Sequence, residues 1–225
     1  YDARVKRILA QKNILAHILV KTVDEFKGMK PEDVVTYIEG EPKVGIVPVE
    51  PGLSNIEKTD ATGQRIVGLN TENAEINEGL VRFDIIFYVR MKNGLSQIIV
   101  NVEAQKDEPT EYKILNRAIF YVSRLVSSQK ERDFVNTNYD DIKQVFSIWI
   151  CMNPPKYREN SINRYSITEE QLIGSCSERK ENYDLLTAIM ICLGDSDDEN
   201  ASGILKLLEV LLSSDREVKE KKEIL

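Results

Sequence analysis

The pattern of hydrophobic and polar positions is most regular between residues 81 and 105. Every second residue is apolar in two runs, which are Phe83, Ile85, Phe87 and Val89, then Ile98, Val100, Val102 and Ala104. Asn93-Gly94 lies between the two runs. Both residues of a two-residue hairpin turn need positive φ, which Asn and Gly adopt readily. The pattern therefore predicts a β-hairpin.

This turn also predicts the register of the hairpin. With Asn93-Gly94 as the turn, the first apolar run faces the second, from Val89 opposite Ile98 to Phe83 opposite Ala104. A shift of one residue would turn the apolar side chains to the wrong face. On the other face, Asp84 is predicted to lie opposite Glu103, with the two Cβ atoms roughly 4.5–5.5 Å apart.

The rest of the chain predicts helices around further strands. We expect helices at residues 2–26, 32–39, 110–128, 182–193 and 201–213, and strands at 44–49, 145–152 and 161–167. Residues 41–80 are otherwise irregular, and the strand at 145–152 is apolar enough to be covered on both faces. The order indicates an α/β fold with a mixed sheet flanked by helices.

The helix at 110–128 has two different sides. One carries an apolar stripe of Leu115, Ala118, Ile119, Val122, Leu125 and Val126, and the other carries Lys113, Arg117, Phe120, Tyr121 and Arg124. As a nucleic-acid surface, the cations would contact phosphates and Tyr121 would stack on a base. The alternative is a solvated helix face. We expect a second basic cluster, Arg4, Lys6, Arg7 and Lys12, to be solvated.

Composition narrows the chemistry. The chain has 225 residues, a formal net charge of −7 and a single histidine, His17. One histidine excludes a multi-histidine zinc site, and a Ser-His-Asp triad gains no support. The acidic balance disfavours DNA binding through bulk charge. The three cysteines have no CxxC spacing, which indicates a reducing, cytoplasmic environment. The longest apolar run, 185–193, is about half of the ~20 residues that a membrane span needs.

The facing carboxylates of Asp84 and Glu103 need an explanation, because like charges directly opposite each other destabilise a hairpin. One of them can take up a proton. Alternatively, a divalent cation can bind between them, and oxygen ligands favour Mg²⁺ or Mn²⁺ over zinc. A third interpretation is that both are hydrated at the strand end and repel each other weakly.

The amino-acid sequence around this pair resembles the motif of the PD-(D/E)XK nuclease superfamily. The relevant segments are RFDIIF at 82–87 and VEAQK at 102–106, followed by a helix with basic residues. The segments YDARVKRILA at 1–10 and DIKQVFSIWI at 141–150 are similar to the branch called PD-(D/E)XK nuclease family transposases, related to recombination-promoting nucleases. The resemblance covers roughly residues 1–155.

The resemblance implies a restriction-endonuclease-like αβββαβ core and Mg²⁺- or Mn²⁺-dependent cleavage of DNA. It implies that Asp84, Glu103 and the carbonyl of Ala104 are metal ligands. Gln105 stands where the superfamily usually has its catalytic lysine. Lys106 is adjacent but should point to the opposite face. An additional upstream acid is also implied, with Glu78 as the first candidate and Glu25 as the second.

Two organisational expectations follow. Residues 1–160 would form the nuclease-like core, and 161–225 would form a mainly helical extension packed on it. The leading function is a DNA endonuclease linked to mobile elements or recombination, with DNA as partner, no membrane and a homodimer left open. The alternative is a non-catalytic, nuclease-like module that binds nucleic acid or protein. A purely structural protein would leave the Asp84–Glu103 pair unexplained.

Overall fold

The computed structural model describes residues 2–45, 58–59, 65–66, 72–75, 78–93, 97–130, 132–195 and 203–213. The α-helices of this part are α1 (Asp2–Leu9), α2 (Lys12–Thr22), α3 (Pro31–Val34), α4 (Ile114–Ser127), α5 (Lys180–Tyr183) and α6 (Ile204–Leu212). Short 3-10 helices lie at Asp24–Phe26, Val35–Tyr37, Tyr139–Asp141 and Lys156–Arg158. The strands are β1 (Ile38–Val44), β2 (Lys58–Thr59), β3 (Arg65–Ile66), β4 (Glu72–Glu75), β5 (Glu78–Arg82), β6 (Ile85–Arg90), β7 (Gln97–Asp107), β8 (Val145–Asn153), β9 (Ser161–Ser166) and β10 (Leu186–Cys192).

Six of these strands form one mixed sheet in the order β1-β6-β7-β8-β10-β9. Strands β1, β6 and β7 are antiparallel neighbours, while β7, β8 and β10 run parallel, and β9 is antiparallel to β10. Parallel neighbours need a crossover, and α4 lies in the connection between β7 and β8. The predicted α/β fold with a mixed sheet and flanking helices is confirmed. The pairs β2–β3 and β4–β5 form separate two-stranded sheets.

The hairpin of β6 and β7 has the predicted register. Val89 pairs with Ile98, Phe87 with Val100, and Ile85 with Val102. The turn residue Gly94 lies outside the described residues. The regular strand begins at Ile85, after a bend at Asp84. We expected Phe83 to lie opposite Ala104 on the first apolar face, and this is wrong. Phe83 packs instead with the cluster under α4.

Both faces of the sheet are covered. On the first face, the alternate residues of β6 and β7 pack with residues of α1, α2 and α6. On the second face, α4 packs on β8 and β10 with an aromatic centre at Trp149. Because the crossover places α4 on the second face, the hairpin residues there are also buried. The hairpin is therefore a central element rather than a half-exposed one.

Two of the predicted N-terminal elements are different in the structure. The helix expected at 2–26 is interrupted at Ala10 and Gln11, where Gln11 is extended. The helix expected at 32–39 consists of α3 and a 3-10 turn that continues to Tyr37, and β1 begins at Ile38 rather than at 44. Gly40 has φ of 56° inside β1, where the pairing with β6 is shifted between Glu39 and Lys43. A glycine favours such a bulge, because it adopts positive φ without steric strain. Residues 46–49 of the expected strand lie outside the described residues.

The helix expected at 182–193 is wrong, because residues Leu186–Cys192 form β10. A short apolar run fits both a buried helix and a central strand. Here the run lies between β8 and β9 in the sheet, and its side chains are buried alternately on the two faces. The edge strand expected at 161–167 is confirmed as β9, and the helix expected at 201–213 is confirmed as α6. Residues 161–225 therefore add two strands to the main sheet, and their mainly helical character is not observed in the described part.

The apolar stripe of α4 is rotated by about one position from the prediction. Tyr121 is buried, while Ile119 and Phe120 are exposed. Tyr121 packs edge-on against Phe83 and Trp149, with ring centroids 5.1 and 5.3 Å apart. The aromatic contacts favour burial of Tyr121 over Ile119, and hydrophobicity alone does not reveal this.

Candidate active site

Asp84 and Glu103 lie together at the end of the hairpin and are joined by reciprocal hydrogen bonds. The backbone N–H of Asp84 donates to Oε1 of Glu103 at 3.0 Å. The backbone N–H of Ala104 donates to Oδ2 of Asp84, also at 3.0 Å. Each carboxylate thus accepts a main-chain donor where the regular ladder stops. The two carboxylates are therefore close together, as expected, but the regular pairing of β6 and β7 stops at Ile85 and Val102, so Asp84 and Glu103 are not a cross-strand pair of the ladder.

Lys6 of α1 is the third charged group at this position. Its Nζ lies 2.7 Å from Oδ1 of Asp84, and both side chains are mostly buried. We expected Lys6 to be solvated, and this is wrong. Val5 and Leu9 of the same helix are buried, so α1 is held against the sheet on the first face. The site therefore lies where α1 on one face and α4 on the other reach the end of the hairpin.

Glu103 is the most strongly perturbed carboxyl of the site. Its residue is only 4% exposed. Burial raises the pKa of Glu103 well above its ordinary value, and the charge of Asp84 raises it further. The N–H of Asp84, the charge of Arg117 and the amide of Asn101 oppose this shift without cancelling it. Glu103 therefore holds a proton more strongly than an ordinary glutamate, which is one of the two outcomes that the like-charge pair predicts.

Arg117 of α4 is fixed by aromatic side chains above Glu103. Its guanidinium donates to the hydroxyls of Tyr112 and Tyr121 at 3.1 and 2.9 Å. Its Cζ lies 5.0 Å from the ring centre of Tyr121 and 5.3 Å from that of Trp149. Stacking and hydrogen bonding hold the cation in one place. Burial raises the pKa of Tyr121, so this hydroxyl stays neutral.

A small buried polar group supports Glu103 from below. Asn101 lies two residues before Glu103 on the same face of β7 and is fully buried. Its Nδ2 donates to Oγ of Ser147 at 3.1 Å, and Nε1 of Trp149 donates to the same oxygen at 2.9 Å. Buried polar side chains need such partners. This network orders the floor of the site, and the sequence analysis did not identify it.

The other predicted residues are placed as follows. Gln105 is near the pair in sequence, but its Nε2 donates to the carbonyl of Asp107 at 2.7 Å. Lys106 points to the opposite face, as expected, and lines a cleft with Glu209 and Leu212 of α6. Lys113 is exposed at the N-terminus of α4. Arg124 is buried with its guanidinium 5.4 Å from the ring centre of Phe120, so its expected exposed position is wrong.

The two candidates for the upstream acid have different outcomes. Oε1 of Glu25 accepts the N–H of Lys92, which lies beside the hairpin turn. Strand β6 separates this position from Asp84 by roughly 25 Å at ~3.3 Å per residue. Glu25 therefore cannot join the site. Glu78 begins β5 and pairs with Glu75, and its side chain lies outside what the structure describes.

The donors at the site fit a hard divalent cation. Asp84 and Glu103 supply carboxylate oxygens, and the carbonyl of Ala104 is on the strand edge that faces Asp84, since the N–H of the same residue is there. The described residues contain no group of three His, Cys, Asp or Glu side chains that could hold a metal. Mg²⁺ commonly uses one or two carboxylates and keeps several waters. Two carboxylates are therefore sufficient, provided that Lys6 moves away from Oδ1 of Asp84.

Comparisons with known proteins do not place this chain in a family. No family model matches it, and no curated protein or solved structure matches it with significant similarity. In the part of the chain that is described, none of the helices is long and apolar enough to cross a membrane. The functional argument therefore rests on the residues of this chain.

Proposed function

We propose that the protein is a Mg²⁺- or Mn²⁺-dependent DNA endonuclease with its active site at Asp84 and Glu103. The observation that supports this most is the reciprocal pair of carboxylates with Lys6 beside it. A buried acidic pair that stabilised only the fold would be expected to have its charge fully compensated. The raised pKa of Glu103 indicates that compensation is incomplete.

The roles of the residues follow from their donors and charges. Asp84, Glu103 and the Ala104 carbonyl would hold the cation. When bound, Mg²⁺ or Mn²⁺ supplies Lewis-acid stabilisation of a phosphate and lowers the pKa of a bound water. Arg117 is fixed near Glu103 and would offset negative charge on the substrate. Lys113 is exposed at the start of the same helix and would contact a neighbouring phosphate.

Lys6 takes the role that Gln105 cannot fill. A glutamine can hydrogen-bond a water but carries no charge to offset that of a phosphate. The ammonium of Lys6 reaches Asp84 from the first helix. We propose that Lys6 leaves Asp84 when a cation binds there, and then donates to a non-bridging phosphate oxygen or to the attacking water. In this account the substitution at position 105 does not abolish activity.

The proposal is tested by cleavage of plasmid and linear DNA with Mg²⁺, with Mn²⁺ and with EDTA. We expect nicking or cleavage only with the metals, and loss of activity in Glu103→Ala with the fold retained by circular dichroism. Glu25→Ala is a matched control, since Glu25 lies at the other end of the hairpin. Full metal-dependent cleavage by Glu103→Ala would place the site elsewhere.

The rival is a nuclease-like module without activity that binds nucleic acid or protein. The net charge of −7 and Gln105 favour this rival. It predicts no cleavage by the parent, by Gln105→Lys or by Lys6 variants, although Mg²⁺ can still bind. A link to mobile elements or recombination rests on the sequence resemblance alone and belongs with the endonuclease proposal.

A further inference from the structure

Cys151 and Cys192 form a buried pair of thiols inside the main sheet. Strands β8 and β10 run parallel, and Cys192 is the register partner of Cys151. Both side chains belong to the buried cluster under α4, so they lie on the same face of the sheet. Directly paired residues on neighbouring strands are about 5 Å apart, within the range of roughly 4.4–6.8 Å between the Cα atoms of a disulfide. The two sulfurs can therefore be joined without moving either strand.

The thiol pair has polar and charged neighbours on the side of the edge strand β9. Ser161 of β9 is the register partner of Cys192. The charge of Arg158, which lies just before β9, acts on both thiols. The Nη1 of Arg158 lies 3.5 Å from Oε1 of Glu108, and both of these side chains are partly exposed. The thiols are therefore buried, but they lie next to a side chain that also reaches solvent.

These neighbours make the two thiols chemically different. The Cys151 thiol donates a hydrogen bond that lowers the pKa of Cys192 to about 7, and Arg158 and Ser161 add to this shift against the effect of burial. The same contact and burial raise the pKa of the Cys151 thiol. The thiolate is the nucleophilic form of cysteine. Cys192 is therefore the thiol that reacts first, and Cys151 is the thiol that completes the disulfide.

We propose that Cys151 and Cys192 are a modification site at which hydrogen peroxide converts the two thiols into a reversible disulfide within the chain. The residues Cys151 and Cys192 are only 3% and 0% exposed. An oxidant that reaches them in the folded protein must therefore be close to water in size, which peroxide is and oxidised glutathione is not. The site is independent of the proposed endonuclease activity, because its chemistry needs neither metal nor DNA.

The oxidation has two steps, with peroxide as the co-reactant. The thiolate of Cys192 attacks one peroxide oxygen, the O–O bond breaks, and the products are a sulfenic acid at Cys192 and hydroxide. The sulfur of Cys151 then attacks the sulfur of Cys192, the S–S bond forms, and hydroxide leaves from Cys192. The two hydroxides take up the protons of the two original thiols and become water. The thiols lose two electrons in total, and the peroxide gains them.

Intact mass and thiol counting test the site in the folded protein. In a Cys176→Ser background, which removes the exposed native thiol, a small excess of hydrogen peroxide should lower the mass by two hydrogens and remove both free thiols. Dithiothreitol should restore both. Persistence of the two thiols, or their reaction only after urea is added, would overturn the proposal. Oxidation by glutathione disulfide as fast as by peroxide would overturn the assignment of the oxidant.

Single variants in the same background test the roles of the two thiols, with the fold of each variant checked by circular dichroism. Cys151→Ala should gain oxygen at Cys192, because the sulfenic acid has no second thiol to react with. Cys192→Ala should stay unoxidised under the same treatment, since burial keeps Cys151 in the thiol form. Oxygen added to Cys151 in Cys192→Ala, with none added to Cys192 in Cys151→Ala, would reverse the two roles.

Urea denaturation tests whether the sheet accommodates the disulfide, and it needs no change to either cysteine of the pair. A cross-link between β8 and β10 restricts the unfolded chain and therefore favours the folded state. In the Cys176→Ser background, the peroxide-treated protein should unfold at a higher urea concentration than the same protein reduced with dithiothreitol. An equal or lower midpoint for the oxidised protein would mean that the strands are distorted by the cross-link, and this would overturn the fit inferred from the register.

Discussion

The side-chain carboxylates of Asp133 and Glu103 are both buried, but their surroundings differ in charge. Asp133 is almost completely enclosed, and it accepts hydrogen bonds from the hydroxyl of Tyr88, Nε of Arg132 and Nζ of Lys143, at 2.9, 2.6 and 3.0 Å. Glu103 is equally enclosed, but its nearest charged partner along the pair is another carboxylate, Asp84.

The difference is seen in the direction of the two pKa shifts. Burial alone would raise the pKa of Asp133, but the charges of Arg132 and Lys143 outweigh it and the pKa is lowered. Burial and the charge of Asp84 together raise the pKa of Glu103. The charge of Asp133 is thus compensated by Arg132 and Lys143, as expected of a structural ion-pair cluster. Glu103 is left short of positive charge, which a proton or a bound cation can supply.

The largest expected effect is on stability, and it concerns the cluster of Asp133 with Arg132, Lys143 and Tyr88. Asp133→Asn should lower the free energy of unfolding by about 3–5 kcal/mol, because it leaves the charges of Arg132 and Lys143 buried without their anion. Urea denaturation measures this. Asp140→Asn, an exposed change nearby, should stay within about 0.5 kcal/mol of the parent. If Asp133→Asn is equally mild, the cluster does not carry the structural role assigned to it.

The second effect concerns cleavage and Lys6. Lys6→Met should lower the rate of DNA cleavage by roughly 10²–10³-fold at saturating Mg²⁺, the usual loss when one fixed donor to a transition-state charge is removed. Metal binding should persist or tighten, because Lys6 no longer competes for Asp84. Lys12→Met, on the next helix, is the control. An unchanged cleavage rate in Lys6→Met would remove Lys6 from the site.

The sequence identifies one of these two carboxylates and not the other, for a physical reason. The pairing of Asp84 and Glu103 follows from a two-residue turn and strict alternation, both of which are local. The Asp133 cluster depends on tertiary structure. Asp133 contacts Tyr88, which lies 45 positions earlier in the chain, and Lys143, which lies 10 positions later. The role of Lys6 was not predicted for the same reason, since its partner Asp84 is distant in sequence.

The same distinction explains the outcome for the fold. Hairpin register, the buried strand β8 and edge strand β9 are fixed by local pattern and were predicted. β10 was not, because an apolar run of this length fits a helix or a strand until its neighbours are known. Tyr121 was placed on the wrong side of α4 because its burial depends on Phe83 and Trp149, which are distant in sequence.

A third, smaller effect separates the two carboxylates by pH. The pKa of Glu103 is raised in the folded state, so its contribution to stability is complete below its unfolded pKa and is lost as pH rises through the folded value. The pKa of Asp133 is lowered, so its contribution is present above its unfolded pKa and is lost as pH falls through the folded value.

Glu103→Gln tests this pH contrast. Without divalent ions, it should stabilise the fold by about 0.2–1 kcal/mol at a pH above the folded pKa of Glu103, the range for relief of a like-charge cross-strand pair. The gain should disappear as the pH falls through that raised pKa and Glu103 takes up its proton. Thermal unfolding as a function of pH, with EDTA present, provides the comparison. A loss of stability on the alkaline side would mean that the Glu103 charge is already compensated.

An effect of similar size is expected at position 105. Gln105→Ala should lower cleavage by less than about tenfold, since a net hydrogen bond contributes roughly 0.5–1.5 kcal/mol. Gln105→Lys should preserve or raise the rate at saturating metal, because it adds a charge beside the phosphate. Steady-state cleavage of one DNA substrate measures both. A drop of 10³-fold in Gln105→Ala would return the main role to Gln105 and away from Lys6.

Calorimetric titration with Mn²⁺ tests the central claim most directly, which is that the Asp84–Glu103 pair, unlike Asp133, is open to a cation. For the parent we expect one Mn²⁺ per chain, bound with release of up to about one proton when the pH is low enough for Glu103 to be protonated. Glu103→Gln should abolish the binding and the proton release, while Asp133→Asn, at a temperature where it is folded, should retain both. Equal Mn²⁺ binding by the parent and Glu103→Gln would contradict the account.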